Sequence, residues 1–313
     1  MRRPSRHLAR LLVTAVAVLV VLPACGGAAA PAAEVREAGE AAPPEVTKDD
    51  LEALSIRVLE LEVQVKNLRA ADATGDPFSA APIEGAAPEW DYQDPAGWGA
   101  LGAAYETCAA GTEQSPIDLG PSTLLAADIA NPVVDYGDTS TATIIDNGHT
   151  IEVGLEGAGT LALEGASYDL QHLHFHAPSE HTIDGVHAPL EVHFVHETVD
   201  GNIAVVSALV KAGDAGPAGY DVIVAALPSD DAEHEVGAPL SLRSLLPEQT
   251  TAYRYRGSLT TPPCTEGVNW LVLTTPLTMS QAQIDAIVAQ LPAPNNRPTQ
   301  ELGGRVVGVD VTS

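Results

Sequence analysis

Histidine is the residue type whose spacing in this sequence points most directly to chemistry. Eight of the ten histidines lie between residues 149 and 196, and His172, His174 and His176 alternate with apolar residues. Alternate side chains of a β-strand point to the same face, so a strand here would present three imidazoles on one side. Imidazole is a common metal ligand and exchanges protons near neutral pH. The segment is therefore a candidate metal or acid–base site.

A further histidine lies on the next predicted strand. His193 follows Glu191 by two residues, so both side chains share one face. Two histidines from one strand and one from its neighbour leave a fourth position open for water, which is typical of catalytic zinc, whereas structural zinc uses four protein ligands. Spacing alone does not tell which two of His172, His174 and His176 would bind. The His-X-His pattern also occurs in cupins and on ordinary surface strands, so that alternative stays open.

Short strands must position these histidines. Segments that are β-branched or alternate in polarity, and that Gly, Pro, Asn or Asp bound, predict strands at 142–145, 150–155, 170–175, 190–195 and 203–211. One helix is predicted at 280–291, with Ser280 as its N-cap. The predicted fold class is therefore mainly β.

Composition and charge limit the classes of partner. The 313 residues suit one large domain with appendages, or two small domains, and 45% are hydrophobic. Fifteen basic residues against 42 acidic ones give a net charge of -27. Such a surface repels nucleic acid, so no nucleic-acid partner is expected. It fits either an ordinary acidic protein or one adapted to a salty medium.

The first 25 residues resemble an export signal. Four arginines fall within the first ten residues, and an apolar run at 11–22 is short for a membrane span. Leu22-Pro23-Ala24-Cys25 forms a lipobox, which predicts a signal peptide at 1–24 and a lipid on Cys25. The expected location is the periplasm or cell surface, anchored to a bacterial membrane. The alternative is an ordinary cleaved signal peptide with an incidental Cys25.

A heptad seam precedes the globular part. Apolar residues at alternating spacings of three and four predict a short coiled-coil helix at 48–70, and hence a homo-oligomer: Leu51, Leu54, Val58, Leu61, Val65 and Leu68. The alternative is an amphipathic helix packed on its own domain. Residues 25–47 and 71–88, rich in Ala, Pro, Gly or Glu, are predicted linkers. The globular domain, which would carry the histidines, is then expected at 89–313.

Several motifs across residues 90–310 together resemble the alpha carbonic anhydrase family. In chain order they are EQSPIDL, DNGHTIEV, LHFHAPSEHTIDG, LEVHFVH, GSLTTPPCTEGVNW and NNRPTQ. The resemblance implies a single alpha-carbonic-anhydrase-like domain with a central, mostly antiparallel twisted sheet and a few short helices. It also implies an enzyme, a carbonate dehydratase of the lyase class, and does not cover the first 89 residues.

The resemblance also selects the ligands and a reaction. His174, His176 and His193 match the Zn²⁺ ligands. The implied reaction is reversible hydration of carbon dioxide to bicarbonate and a proton, by attack of a zinc-bound hydroxide. His149 matches the histidine that shuttles the proton to solvent, although a turn histidine after Asn-Gly is the alternative from sequence.

Further residues match family positions around the metal. Thr260 and Glu180 match the pair that orients the attacking oxygen, although by themselves they read as a Pro-stiffened turn and a surface acid. The other implied roles are bicarbonate contact and the carbon dioxide wall (Thr261, Val195, Val205, Leu259, Trp270), water ordering (Tyr92, Asn147) and ligand orientation (Glu191, His172). The family usually has glutamine where this chain has His172. A titratable imidazole there could change the orientation of His174 and the zinc affinity.

Two cysteines remain besides Cys25. Cys108 and Cys264 match the disulfide of bacterial secreted relatives, and export implies an oxidising compartment.

One competing function is a non-catalytic binding domain, but such members of the family lose zinc histidines and this chain keeps all three. Another is a zinc-holding scaffold with incidental esterase activity.

Overall fold

The computed structural model describes residues 88–310, apart from 121–123, 128–131, 140, 156, 215, 230–231 and 293. The predicted signal peptide, Cys25, both linkers and the coiled coil lie outside these residues, except for the last linker position, Pro88. Within the described part of the chain, no helix is both long enough and apolar enough to cross a bilayer.

Seventeen strands are described, and thirteen of them form one sheet. Ten strands of that sheet follow in the order β1-β17-β14-β15-β11-β10-β7-β5-β4-β12, with β16 beside β11, β6 beside β7 and β2 beside β6. The strands are β1 (Leu124–Ala127), β2 (Val133–Tyr136), β3 (Asp138–Thr139), β4 (Thr143–Asp146), β5 (Ile151–Gly154), β6 (Gly159–Leu163), β7 (Ala166–His176), β8 (Thr182–Ile183), β9 (Val186–His187), β10 (Leu190–Glu197), β11 (Ile203–Gly213), β12 (His234–Glu235), β13 (Leu240–Ser241), β14 (Ala252–Ser258), β15 (Glu266–Leu273), β16 (Leu277–Ser280) and β17 (Val307–Asp310).

The predicted mainly β fold is confirmed, with a mixed sheet. Most neighbouring strands are antiparallel, while β1–β17, β11–β15 and β11–β16 pair in parallel. The five predicted strands correspond to β4, β5, β7, β10 and β11. The structure extends β7 toward its start because β6 pairs with residues 166–169, which the local sequence pattern does not reveal.

Helices are few and short, as predicted: α1 (Thr107–Ala110), α2 (Ala218–Ala225) and α3 (Gln281–Val288), with 3-10 turns at Pro95–Ala100, Ala103–Tyr105 and Leu242–Leu245. Ser280 caps α3 through a capping box with Gln283. The helix ends at 288 and not at the predicted 291. Pro292 follows, and a proline disfavours the helical conformation of the residue before it.

Two apolar clusters hold the sheet. The larger one packs residues of the central strands against α2 and α3. The smaller one surrounds Trp270 and contains Val195, Val205 and Tyr255, so it borders the face that carries the histidines. Strand β10 is buried along seven of its eight residues, which fits its central place in the sheet.

Candidate metal centre

Strand register brings three histidines to one point. His174 and His176 share a face of β7, while Leu173 and Phe175 point into the core on the other face. His193 lies directly opposite His174 in the antiparallel pair β7–β10. One nitrogen from each of His174, His176 and His193 falls within 4.8 Å of the others. The structure therefore groups the three histidines that the resemblance implies and leaves His172 outside this group.

The second nitrogens of two rings are already engaged. His176 Nδ1 donates to the carbonyl oxygen of Asn295 at 2.7 Å, and His193 Nε2 donates to Glu191 Oε1 at 2.9 Å. These bonds leave His176 Nε2 and His193 Nδ1 as the nitrogens able to accept a cation. His176 Nε2 is buried and has no hydrogen-bond partner among the described residues. A set of three imidazole nitrogens, oriented by outer partners, fits zinc.

Glu191 is the carboxylate that orients His193. Its Oε1 also accepts from His181 Nδ1 at 2.7 Å, and Oε2 accepts from two main-chain N–H groups. Burial alone would raise the pKa of Glu191, but the neighbouring His181 and His193 outweigh burial and hold that pKa well below its usual range. His181 Nε2 in turn meets the hydroxyl of Tyr255 at 2.7 Å. His181, Glu191 and His193 also have ligand atoms within 4.8 Å of one another, but hydrogen bonds through the carboxylate account for that approach.

His172 lies next to the centre on the same strand. Its ring centroid is 5.3 Å from that of His174, with the rings inclined by 35°. Burial, together with the smaller effects of the nearby His196 and His193, lowers the pKa of His172 to about 3. The side chain is therefore neutral at physiological pH. Removal of this imidazole from water suppresses the titration that a free histidine shows near neutral pH.

Glu180 and Thr260 lie beside the three histidines. Glu180 is fully buried and its Oε1 accepts from the main-chain N–H of Arg297 at 2.9 Å. Burial outweighs the opposing effects of His193, the Arg297 N–H and the Thr260 hydroxyl, and the pKa of Glu180 is raised to about 7. Glu180 Oε2 lies 3.5 Å from His176 Nε2 and has no hydrogen-bond partner in the described part of the chain. A cation at the histidines would lower the pKa of this carboxyl.

A cavity of about 580 Å³ opens onto the centre. Its lining includes every residue to which the resemblance assigns water ordering or substrate contact: Tyr92, Asn147, Val195, Val205, Leu259, Thr261 and Trp270. Thr260, His149 and His172 line it as well. Residues that are scattered from 92 to 270 in the sequence therefore share one concave surface, which is the usual form of a small-molecule site.

His149 lies half-buried in the lining of this cavity. Its ring stacks on Trp90, with centroids 3.9 Å apart and planes inclined by 8°. Partial burial lowers the pKa of His149, and the carboxylate of Asp91 opposes that shift. The main-chain N–H groups of His149 and Thr150 both donate to Asn147 Oδ1 at 3.0 Å. The histidine is thus both a turn residue, as the local sequence suggests, and a titratable group facing the cavity.

Tyr92 packs against Trp90, the ring on which His149 stacks, and against Trp98. Its ring lies edge-on to Trp90 at 5.4 Å and to Trp98 at 5.7 Å between centroids. Burial, and secondarily the charge of Glu180, raise the pKa of the Tyr92 phenol. Tyr92 is therefore a neutral hydrogen-bonding group at any physiological pH.

The predicted disulfide is confirmed. Cys108 and Cys264 are bonded at an S–S distance of 2.06 Å across a sequence separation of 156 residues. The main-chain N–H of Cys264 donates to the carbonyl of Thr261 at 2.8 Å. The bridge therefore fastens the turn that carries Thr260 and Thr261 to the segment around α1.

Sequence reasoning missed Asn295 and Arg297 as parts of the site. Asn295 holds His176 through its carbonyl and donates its Nδ2 to the carbonyl of His149 at 3.1 Å. The buried Arg297 guanidinium donates to Ser115 and Cys108 carbonyls, at 2.8 and 2.9 Å. Both residues fall in the motif NNRPTQ, so the resemblance marked their segment. No local pattern indicates that they reach a site more than 100 residues earlier in the chain.

Several known proteins with similar sequences and structures are carbonic anhydrases. A family model described as eukaryotic-type carbonic anhydrase matches residues 93–310. A carbonic anhydrase from Pectobacterium carotovorum is 40% identical over 236 residues, covering 74% of this chain and 93% of that protein. The alpha-carbonic anhydrase from Thermovibrio ammonificans, solved with the inhibitor sulfanilamide, superposes with a TM-score of 0.68 at 39% identity, covering 71% of this chain and 99% of that one. The alpha-carbonic anhydrase of Photobacterium profundum gives a TM-score of 0.65 at 38% identity, covering 70% and 100%.

Proposed function

Because the chain belongs to the eukaryotic-type, or alpha-class, carbonic anhydrase family, we propose that it hydrates carbon dioxide reversibly with zinc held by His174, His176 and His193. The family makes it an enzyme of the lyase class. The observation that carries the zinc proposal is the convergence of three ring nitrogens within 4.8 Å. Asn295 and Glu191 hold two of those rings in the tautomers that binding requires.

When bound, zinc supplies Lewis-acid activation of water, for which carbonic anhydrases are themselves the standard example. The overall reaction combines carbon dioxide with water and yields bicarbonate and one proton. The protein must therefore orient the attacking oxygen, hold an apolar substrate and remove a proton. Separate groups of residues in the cavity serve these three tasks.

Thr260 and Glu180 orient the attacking oxygen. A hydroxyl group donates one hydrogen bond and accepts up to two, and it rotates freely unless a partner holds it. The Thr260 hydroxyl lies close enough to Glu180 to lower the pKa of that carboxyl. In the proposed mechanism this hydroxyl would donate a hydrogen bond to the carboxylate, so that the Thr260 oxygen would accept one from the attacking group at the centre. The main-chain N–H of Arg297 donates to Glu180 Oε1 at 2.9 Å and so limits rotation of this carboxylate. The attacking oxygen then has a fixed proton direction, with a lone pair free to reach carbon.

Apolar residues hold carbon dioxide. Val195, Val205 and Trp270 line the cavity and are almost completely buried, and Leu259 joins them. Carbon dioxide has no net dipole, so an apolar wall binds it at little desolvation cost. Thr261 lies beside this wall and can contact the more polar bicarbonate product.

His149 carries the released proton to solvent. Its place in the cavity lining on an exposed turn lets the imidazole accept a proton from water in the cavity and release it outside. Tyr92 and Asn147 line the space between the centre and the outside and would order that water.

Zinc content measured together with hydration activity tests the proposal. The purified protein should hold one zinc per chain. His193→Ala should lose both zinc and hydration activity, because only two of the three protein ligands would remain. His234→Ala, which alters an exposed histidine on β12 away from the cavity lining, is the matched control and should keep both. Zinc and activity retained in His193→Ala would contradict the assignment.

Export, lipid anchoring and self-association remain part of the proposal. The basic start, short apolar run and lipobox at Cys25 support a lipoprotein of the periplasm or cell surface. The heptads at 48–70 support association of several chains. The disulfide is consistent with an oxidising compartment.

A further inference from the structure

Glu191 receives more hydrogen bonds than orientation of one histidine requires. Its Oε2 accepts from the main-chain N–H groups of Glu180 and His181, each at 2.8 Å. Its Oε1 accepts from His181 Nδ1 at 2.7 Å, from His193 Nε2 at 2.9 Å and from the hydroxyl of Ser207. Three donors therefore share a single carboxylate oxygen.

Ser207 lies where it can act on the centre without touching it. It occupies β11 directly opposite His193 in the antiparallel pair β10–β11, so the two side chains share a face of the sheet. The residue is completely buried within an otherwise apolar strand segment, IAVVSALV. A buried hydroxyl needs a partner, and Ser207 finds Glu191.

The geometry separates two possible effects of this hydroxyl. Holding the carboxylate in place is already achieved by the two main-chain N–H groups on Oε2 and by His181. What Ser207 adds is competition, because a carboxylate oxygen has about two lone-pair sites and each added donor weakens the others. The donor it weakens next to the centre is His193.

We propose that Ser207 is a positioning residue that moderates how strongly His193 binds the metal, by competing with His193 Nε2 for Glu191 Oε1. The inference rests on the proposed zinc site. Without the serine hydroxyl, Glu191 Oε1 accepts a stronger hydrogen bond from His193 Nε2–H. The imidazole then becomes more electron-rich at Nδ1 and holds zinc more tightly.

Two measurements on the full chain test this role. Zinc loss from Ser207→Ala to excess EDTA should be slower than from wild type by about fivefold, the size expected for one redistributed hydrogen bond. The His193 Nε2–H proton resonance should move downfield in Ser207→Ala, with or without metal. Ser207→Cys should fall between the two in both measurements, because a thiol is a weaker donor.

Ser179→Ala is the matched control. Ser179 is also a completely buried serine, but its hydroxyl donates to the carbonyl of His181 and accepts from the N–H of Ala188. This variant should lower the melting temperature and leave zinc release unchanged. If the wild type binds zinc but Ser207→Ala releases zinc as fast as the wild type or faster, this inference alone is overturned. Wild type that binds no zinc would overturn the proposed function as well.

Discussion

At the scale of single residues, two of the three candidate ligand imidazoles have a partner that fixes their tautomer. His176 needs the Asn295 carbonyl, and His193 needs Glu191. Neutral imidazole has one protonated and one free nitrogen, so an acceptor on one side leaves the other nitrogen for the metal. Desolvation supports this arrangement, because burial lowers the pKa of His176 to about 4. His176 is therefore neutral at physiological pH, and burial lowers the pKa of His174 and His193 as well.

Replacing His149 should slow turnover without affecting the centre. In weakly buffered solution, His149→Ala should lower the hydration rate about tenfold, because proton transfer to solvent becomes limiting. Zinc content should not change, and added imidazole should restore part of the rate. Stopped-flow hydration measured at several buffer concentrations checks this. A rate that is independent of buffer in both proteins would remove His149 from the mechanism.

The pH dependence of the same step follows from the pKa shift. Partial burial lowers the pKa of His149 below its ordinary value. An imidazole accepts a proton only when it is neutral, so the shuttle should work down to a lower pH than a fully exposed histidine would allow. Histidine NMR titration of wild type checks this, and a pKa at or above 6.5, the ordinary value, would contradict it.

At the scale of elements, register decides which side chains meet. The pairing of His174 with His193 across β7 and β10 places both on the cavity face. A shift by one residue would send His193 into the apolar core and bring Phe194 to the metal, since side chains alternate in a strand. Phe194 is completely buried in the larger cluster, so burial of the opposite face enforces the register that the centre needs.

The disulfide should stabilise both the fold and the Thr260 turn. Closing a loop of 156 residues contributes about 5 kcal/mol in the chain-entropy treatment. The double variant Cys108→Ser/Cys264→Ser should therefore melt about 10 °C lower or more. It should also hydrate carbon dioxide more slowly, because Cys264 and Thr261 share a turn. Calorimetry checks the first effect, with reduced wild type as the control, and equal melting of oxidised wild type and variant would contradict it.

At the scale of the whole molecule, the net negative charge affects how the protein can associate with a membrane. The sequence carries a net charge of -27, and removal of residues 1–24 would take away four arginines and no acidic residue. Anionic lipid surfaces repel such a protein. Durable membrane attachment would therefore depend on a covalent lipid and not on electrostatic attraction.

Replacing Cys25 tests the anchor. Cys25→Ser should move the protein from the membrane fraction to the soluble fraction, since the lipid would have no attachment point. Fractionation, with mass spectrometry of the N-terminal peptide, measures this. The Cys108→Ser/Cys264→Ser variant is the control, because it alters only the other two cysteines and should stay in the membrane fraction. A wild-type protein that is wholly soluble and carries no lipid would contradict the prediction.

Removing the heptads tests self-association. Residues 26–313 should sediment as an oligomer, and residues 88–313 as a smaller species, because the seam at 48–70 is the predicted contact. A parallel arrangement would let all lipids reach one membrane, and several weak anchors together would bind durably. Analytical ultracentrifugation compares the two proteins. Identical sedimentation, monomeric or not, would contradict the coiled coil.

Local patterns in the sequence predict the strand face of the candidate metal site and the start of one helix. The alternation of His172, His174 and His176 identifies a strand face able to bind metal, and the position of Ser280 identifies the start of α3. These features are predictable because side-chain direction in a strand and capping at a helix start depend on neighbours a few residues away. Several separate motifs in family order then indicate the fold and the cavity residues.

Tertiary structure alone decided which partners complete the site. Spacing could not distinguish His172 from the two candidate ligands on its strand, whereas pairing of β7 with β10 groups His174 and His176 with His193. Asn295 reaches His176 across 119 residues, and Ser207 reaches Glu191 from another strand. These contacts depend on the path of the whole chain. Sequence periodicity records which face a residue occupies and not what lies across from it.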